Sequence, residues 1–224
     1  MDQRGALLAS GRDADIYEYG PRSVLRRSRT GRSMADEARV MEHVRAAGYP
    51  VPAVELVSDD GTELVMERID GVSMVDALGR RPWSVLGYGR VLAGLHRRLH
   101  EIDAPDWLRP APGTAGDRLL HMDLHPLNVM VTSRGPVVID WANTGRGVAE
   151  TDVAVSWLLM ATAALPMSRL KAALLGWGRR LLVDAFTDQF DLEAVRAQLG
   201  AVVAWKVQDP HMSEAEISRM RAMV

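Results

Sequence analysis

Two short stretches constrain this chain more than any others. The first is His121-Met122-Asp123-Leu124-His125-Pro126-Leu127-Asn128-Val129-Met130, which sets a carboxamide five residues after a carboxylate. The second, Pro136-Val137-Val138-Ile139-Asp140-Trp141, is an apolar, β-branched run ending on a lone carboxylate twelve positions beyond Asn128. Such a run predicts a strand with Asp140 at its mouth. Taken singly, an Asp beside a turn is ordinarily a cap or an Asx-turn. His121, Asp123 and His125 alternate and would share one face of a strand, which raises a metal site as an alternative. No further His or Cys cluster supplies the remaining ligands, and Pro126 interrupts the strand that such a site needs.

The combined pattern is harder to reach by accident. Transfer of a phosphoryl group from a nucleotide needs one carboxylate to orient the attacking hydroxyl and oxygen ligands for a magnesium ion on the phosphates. Asp123, Asn128 and Asp140 are groups of that kind, in the order and near the spacing of a kinase catalytic loop and its metal-binding Asp.

On these residues the chain resembles the aminoglycoside phosphotransferase and choline-kinase-like family of small-molecule kinases. That family writes the loop His-Gly-Asp-Leu-His-Pro-x-Asn, whereas protein kinases favour His-Arg-Asp and Asp-Phe-Gly. Trp141 and Ala142 stand here where protein kinases have Phe and Gly, and Met122 departs from the family's glycine with no evident chemical requirement behind it. The resemblance runs from about Ser10 to Trp157; no motif covers the residues beyond. It implies an α+β, bilobal protein-kinase-like fold, with a small antiparallel-sheet lobe at 1–67 and a mostly helical lobe at 68–224. It also implies Asp123 as the catalytic base and Asn128 and Asp140 as magnesium ligands, with ATP or GTP as phosphoryl donor. His121 and His125 would orient the loop. Gly11 would lie in the phosphate-covering hairpin, although one glycine alone reads as a plain turn. Glu67 and Ile69 would offer backbone to the adenine edge, and Asp152 would steady the catalytic loop.

The family also has a strand lysine paired with a helix glutamate. The only lysines here are Lys171 and Lys206, far downstream, and Arg26 takes the matching place on the face of Val24. Arginine keeps the charge, but its planar fork differs in shape and reach from an ammonium. Glu37 is the expected partner, its other reading being a surface acid in a helix's first turn. The missing lysine and the glycine-poor loop leave a rival: a nucleotide-binding regulatory protein with weak or lost catalysis.

Length and composition narrow the field. At 224 residues the chain can bury a full core, and 47% apolar with 25% charged residues is ordinary for a globular protein. A net charge of −2 argues against a dedicated nucleic-acid binder, the run Arg22, Arg26, Arg27, Arg29 and Arg32 being one local exception. Cysteine is absent, so disulfides and thiolate chemistry are excluded. The polar start and the lack of a membrane-length apolar run, Val153–Leu165 being the longest candidate, predict a cytoplasmic protein. Its acceptor is expected to be a small hydroxylated molecule. For a cationic acceptor, Glu150, Asp184, Asp188, Asp191 and Glu193 are candidate pocket residues, although carboxylates on late helices are more often solvated surface.

Along the chain, Asp15–Tyr19 and Ser23–Arg26 read as strands joined at Gly20-Pro21. Ser33–Ala47 reads as a helix capped by Ser33 and closed by Gly48 and Pro50. Strands follow at Val51–Val57 and Glu63–Met66. Trp83–Ile102 is a long helix with Val85, Leu86, Val91, Leu92, Leu95 and Leu99 as its apolar stripe. His96 and His100 lie four apart on it, best read as satisfied or exposed polar groups rather than metal ligands. Asn143–Gly147 reads as a loop, Thr151-Asp152 as a helix start, and Ser168–Asp188, Leu192–Lys206 and Ser213–Met223 as further helices.

Overall fold

Strand alternation early in the chain and helical periodicity later build the two halves of the architecture. In the computed structural model, residues 4–11, 13–163, 169–210 and 212–224 are described, with backbone alone for 169–175. The strands are β1 (Arg4–Ser10), β2 (Ala14–Tyr19), β3 (Ser23–Ser28), β4 (Val54–Val57), β5 (Glu63–Glu67), β6 (Gly71–Ser73), β7 (Arg118–Leu120), β8 (Val129–Thr132), β9 (Gly135–Val138) and β10 (Gly145–Gly147). The helices are α1 (Ala35–Ala46), α2 (Met74–Arg80), α3 (Val85–His100), α4 (Ala149–Thr162), α5 (Arg169–Thr187), α6 (Leu192–Lys206) and α7 (Glu214–Arg221). The chain divides into two compact units: residues up to Val72 with Met130–Ala142, and Ser73–Val129 with Asn143–Val224.

The first unit is an antiparallel sheet in the order β1-β2-β3-β5-β4, with α1 against it. β3 is central: Leu25 is paired with Tyr17 on one side and Val65 on the other, and Arg26 with Ile16 and Leu64. Leu25, Leu64, Val65, Met41 and Val44 form its buried centre, each such side chain contributing roughly 1.5–3 kcal/mol by leaving water. α1 opens differently from the sequence reading. Met34 occupies the cap position, and Ser33 Oγ accepts a 3.2 Å bond from the Ala35 amide instead of capping deeper in the turn. Its end is as expected: Gly48, at φ +79°, returns its N–H to the Arg45 carbonyl. β1 was not anticipated; Gly5-Ala6-Leu7-Leu8-Ala9 has no clean alternation, and the whole strand is an exposed edge. A three-stranded sheet, β6-β8-β9, completes this unit.

The second unit is helical. α4 runs through its middle, buried from Thr151 to Ser156, and packs on α5 and α6, while α3 packs on α5. The anticipated helix 83–102 is shorter: Pro82–Ser84 form a 3-10 turn and α3 occupies Val85–His100. Its buried face is Gly89, Leu92, Ala93, Leu95, His96 and Leu99, whereas Leu86 and Val91 are exposed. The stripe as drawn spread over too wide an arc, taking in solvent-facing residues and omitting His96. The expected loop Asn143–Gly147 ends as β10, paired antiparallel with β7 (Gly145 opposite Leu120, Gly147 opposite Arg118). A Cβ on Gly147 would lie 2.4 Å from Thr114 Cγ2 and 2.9 Å from Leu120 Cδ1, so any larger residue must displace those side chains. α4 starts at Ala149, two residues before the predicted start. Residues 164–168, which hold the predicted end of that helix and the start of the next, lie outside the described residues. α6 matches its predicted bounds, and Ser213 and Glu216 form a reciprocal capping box on α7. Among the described residues no helix is long and apolar enough to cross a membrane.

Candidate active site

In the sheet unit the site is a three-member charge cluster. Arg26 points from β3 with 13% of its side chain exposed; one guanidinium nitrogen bonds Glu37 Oε1 and the other stands 3.3 Å from Asp140 Oδ1. Glu37 is buried in the first turn of α1, so its reading as a surface acid is set aside. Burial raises the Glu37 carboxyl above its ordinary value; the Arg26 charge pulls it down and the Asp140 charge pushes it up, leaving it raised. For Arg26, burial works against the charged form, but Glu37 and then Asp140 outweigh it. One cation thus serves two carboxylates, which an arginine fork does more readily than an ammonium.

Asp140 owes its position to a bent backbone. β9 stops at Val138, whose N–H bonds the Pro50 carbonyl at 2.8 Å, and Asp140 turns to φ +65°. Trp141 anchors the far side: its amide donates to Glu37 Oε1 at 3.2 Å and its indole N–H to the Val138 carbonyl at 3.1 Å. The ring itself is buried edge-on to Tyr49. A left-handed, non-glycine residue is uncommon, and Asp is among the side chains that tolerate it best. Asp140 remains 44% exposed by side chain, open to a ligand.

Two other predicted contacts fall in this unit. Gly11 sits in the β1–β2 connection, its N–H on the Ala14 carbonyl at 2.9 Å, which is hairpin-turn geometry. At Glu67 the N–H is taken by the Ala53 carbonyl at 2.8 Å, so this position can offer an adenine edge only its carbonyl. Ile69, half-buried just past β5, is the candidate donor.

The helical unit carries the loop. β7 delivers the chain into His121–Asn128, and Pro126–Asn128 close it with a 3-10 turn. Asn128, buried, donates from Nδ2 to the Asp123 carbonyl at 2.9 Å and to Asp123 Oδ2 at 3.2 Å. With its amide nitrogen turned to Asp123, its side-chain oxygen is the atom left for a cation. His125 Nε2 lies 3.7 Å from Asp123 Oδ1, and its Nδ1 accepts from the Leu127 amide. Asp152, fully buried in the first turn of α4, accepts from the His121 amide at 3.1 Å, the Met122 amide at 2.7 Å and His100 Nε2 at 3.0 Å. Burial pushes Asp152 toward the neutral form, but the His100 hydrogen bond and the neighbouring imidazoles hold its pKa below the usual range. Asp152 therefore fixes the backbone just ahead of Asp123.

Met122 has a role the sequence reading missed. It sits at φ +63°, in the left-handed region, with its side chain buried. The family's glycine at this position is thus a conformational requirement, which this chain meets with a strained methionine. His96 and His100 are satisfied polar groups, not ligands, and among the described residues no group of three or more His, Cys, Asp or Glu is placed to hold a metal. Asp184, Asp188, Asp191 and Glu193 are exposed, Asp191 being the N-cap of α6, and Glu150 is half-exposed in the first turn of α4.

A sheet unit with an Arg–Glu–Asp cluster and a helical unit with a backbone-clamped Asp and Asn mark the kinase-like class of phosphoryl-transfer proteins. The chain belongs to the phosphotransferase enzyme family, whose sequence model matches residues 5–118 and 101–197. Among solved structures it is similar to a choline/ethanolamine kinase family protein from Mesorhizobium loti (TM-score 0.64, 15% identity, covering 99% of this chain and 89% of that one). It is likewise similar to a thermostable mutant of the aminoglycoside phosphotransferase APH(4)-Ia, solved with ADP and hygromycin B (TM-score 0.60, 15% identity, 97% and 92% covered). A third is APH(2")-IIa in a ternary complex with streptomycin and ATP (TM-score 0.57, 15% identity, 91% and 83% covered). No curated protein matches the chain by sequence. The kinase-like α+β fold expected from the sequence is the fold observed, and nothing in these comparisons favours a regulatory protein without catalysis.

Proposed function

We propose that this protein transfers the γ-phosphoryl group of ATP to a hydroxyl of a small molecule of aminoglycoside, amino-alcohol or sugar type, with GTP as the alternative donor. The observation that carries the reading is the lock on Asp123: Asn128 donates to both its carbonyl and its carboxylate, and Asp152 holds the two amides before it. A carboxylate so fixed can orient an acceptor hydroxyl and take its proton as the new bond forms, a role worth roughly 10²–10⁴ in rate. Each unit offers a donor of the kind that the family's magnesium ion takes. The Asn128 side-chain oxygen and the open Asp140 carboxylate are hard oxygen ligands of the kind that ion takes. When bound, it supplies charge neutralisation on the phosphates. Arg26 adds one fixed positive charge on the phosphate side, held in place by Glu37. Glu67 C=O and Ile69 N–H meet the adenine edge. Two of the similar solved structures hold hygromycin B and streptomycin, which puts molecules of that kind first in an acceptor screen. The test is ATP consumption by the purified protein with and without such acceptors. Turnover that depends on acceptor supports the reading; nucleotide binding with no acceptor-dependent turnover favours a regulatory role.

A further inference from the structure

Asp152 accounts for the backbone before Asp123, but a second buried contact follows that residue and has no place in the chemistry so far. Ser156 Oγ stands 2.6 Å from the Leu124 carbonyl oxygen, 3.1 Å from the Asp152 carbonyl and 2.8 Å from His96 Nε2. His96 Nδ1 stands 3.0 Å from the Leu92 carbonyl. Leu92, His96, Leu124 and Ser156 are all fully buried, so water cannot make up a missing bond.

The proton count decides what this cluster does. A hydroxyl and a neutral imidazole bring two protons; setting aside the Asp152 carbonyl, which already lies within the α4 ladder, the contacts to Leu92, to Leu124 and between His96 and Ser156 need three. Burial pushes His96 down to about 4, against the pull of Asp152 and with the push of His100 and His121, so no third proton comes from ionisation at neutral pH. One contact must go without. The Leu92 carbonyl lies within the helical ladder and already has a backbone donor four residues on. The Leu124 carbonyl lies in a loop, and its contact is the shortest.

We propose that His96 and Ser156 form a positioning pair for the catalytic loop: His96, protonated on Nε2, donates to Ser156, and Ser156 donates to the Leu124 carbonyl, fixing the residue that follows Asp123. The fold supplies this as two rungs between neighbouring helices. His96 and His100 are four apart on α3, and they meet Ser156 and Asp152, four apart on α4. The His100–Asp152 rung grips the amides before Asp123; the His96–Ser156 rung grips the carbonyl after it. Phe186 and Phe190 wall the His96 ring at 5.0 and 6.3 Å and keep its position dry. The consequence for catalysis rests on Asp123 being the base; the proton placement does not.

The test is nitrogen NMR of the full chain with labelled histidine, the His96 signals assigned by their loss in His96→Gln. At pH 7 the wild-type proton is expected on Nε2. In Ser156→Ala it should move to Nδ1, because Nε2 has lost its partner and the Leu92 carbonyl remains. Amide exchange across 121–128 should then speed up by about tenfold, as for a locally loosened segment, with ADP affinity unchanged. Ser156→Thr should restore both. A wild-type proton on Nδ1 overturns the proposal, because Ser156 would then donate to the ring and leave Leu124 unheld; unchanged exchange in a folded Ser156→Ala does the same. Should Ser156→Ala not fold, the wild-type tautomer and Ser156→Thr still decide. Activity retained by Asp123→Asn would remove the catalytic reading of Asp123 and leave the tautomer result standing.

Discussion

Asp140 in the sheet unit and Asp123 in the helical unit are the two carboxylates that the proposed chemistry depends on, and they are held by opposite means. Asp140 is fixed by charge: Arg26 spans it and Glu37, and the backbone turn that presents it is pinned by a buried tryptophan. Asp123 is fixed by neutral donors and backbone: the Asn128 amide, and flanking residues clamped by Asp152 and Ser156. The difference suits their tasks. A group that faces polyphosphate and metal gains from a fixed cation nearby. A group that must accept a proton loses basicity beside one, so it is better oriented by dipoles than by charge.

The comparison can be broken most sharply at Asp123. Asp123→Asn preserves shape and the contact to Asn128, yet should lower phosphoryl transfer by roughly 10²–10⁴-fold. Nucleotide affinity and the thermal midpoint should stay at wild-type values. A large drop in the midpoint would mean that the carboxylate serves the fold instead.

Next is Arg26→Ala. It leaves Glu37 buried without its cation, which should destabilise the protein by about 3–5 kcal/mol in denaturant titration and weaken ATP binding as well. Glu37→Ala should resemble it, and the double variant should lose less than the sum of the two, since they act as a unit. Strictly additive losses would dissolve the pair. Arg26→Lys should keep the bond to Glu37 and give up the reach to Asp140.

A third experiment is pH titration of stability, and it reads the helical unit. The folded-state pKa of His96, about 4, lies below the unfolded value near 6.5. Between these values the unfolded chain binds a proton that the folded chain refuses, so stability rises with pH through this window and is lost as pH falls toward 4. The loss from this one group is on the order of 3 kcal/mol. His96→Leu should flatten the curve in that window; an unchanged slope would mean that His96 is not buried neutral. Asp152, lowered by its hydrogen bonds, adds a further loss at more acidic pH.

Met122→Gly should have the smallest net effect, because two changes oppose. Removing a left-handed side chain returns roughly 1–2 kcal/mol of backbone strain, while emptying a buried methionine site costs roughly 2–5 kcal/mol. A modest destabilisation with catalysis intact is expected; a net gain in stability would mean that the methionine contributes little packing.

How far the sequence carried this picture differs between the two units. Asp123, Asn128 and Asp140 stood out by their order and spacing, and Arg26 because the resemblance calls for a strand cation at that place. Glu37 followed from the same resemblance, which sets a partner carboxylate on that helix. The left-handed turn at Met122 was signalled only by the glycine that the family has there, and the one at Asp140 only by the tolerance of Asp for a positive φ, which alone does not single it out. β1 was hidden because an exposed edge strand needs no alternation. α2 went unread although Ser73 and Asp76 form its start signal, Ser73 Oγ accepting from the Asp76 amide at 3.0 Å. His96 was harder still, for a buried and an exposed histidine look alike until the helices against it are known. Its partner Ser156 lies 60 residues away.

The most direct measurement is phosphorus NMR of wild-type protein and Asp123→Asn with ATP, magnesium and hydroxylated acceptors, beginning with aminoglycosides and amino alcohols. The wild type should convert the γ-phosphate into a phosphate monoester on the acceptor, with ADP formed in equal amount, and Asp123→Asn should leave ATP intact while still binding it. ADP formation at one rate with or without any acceptor, or equal monoester from both proteins, would contradict Asp123 as the base of a small-molecule kinase.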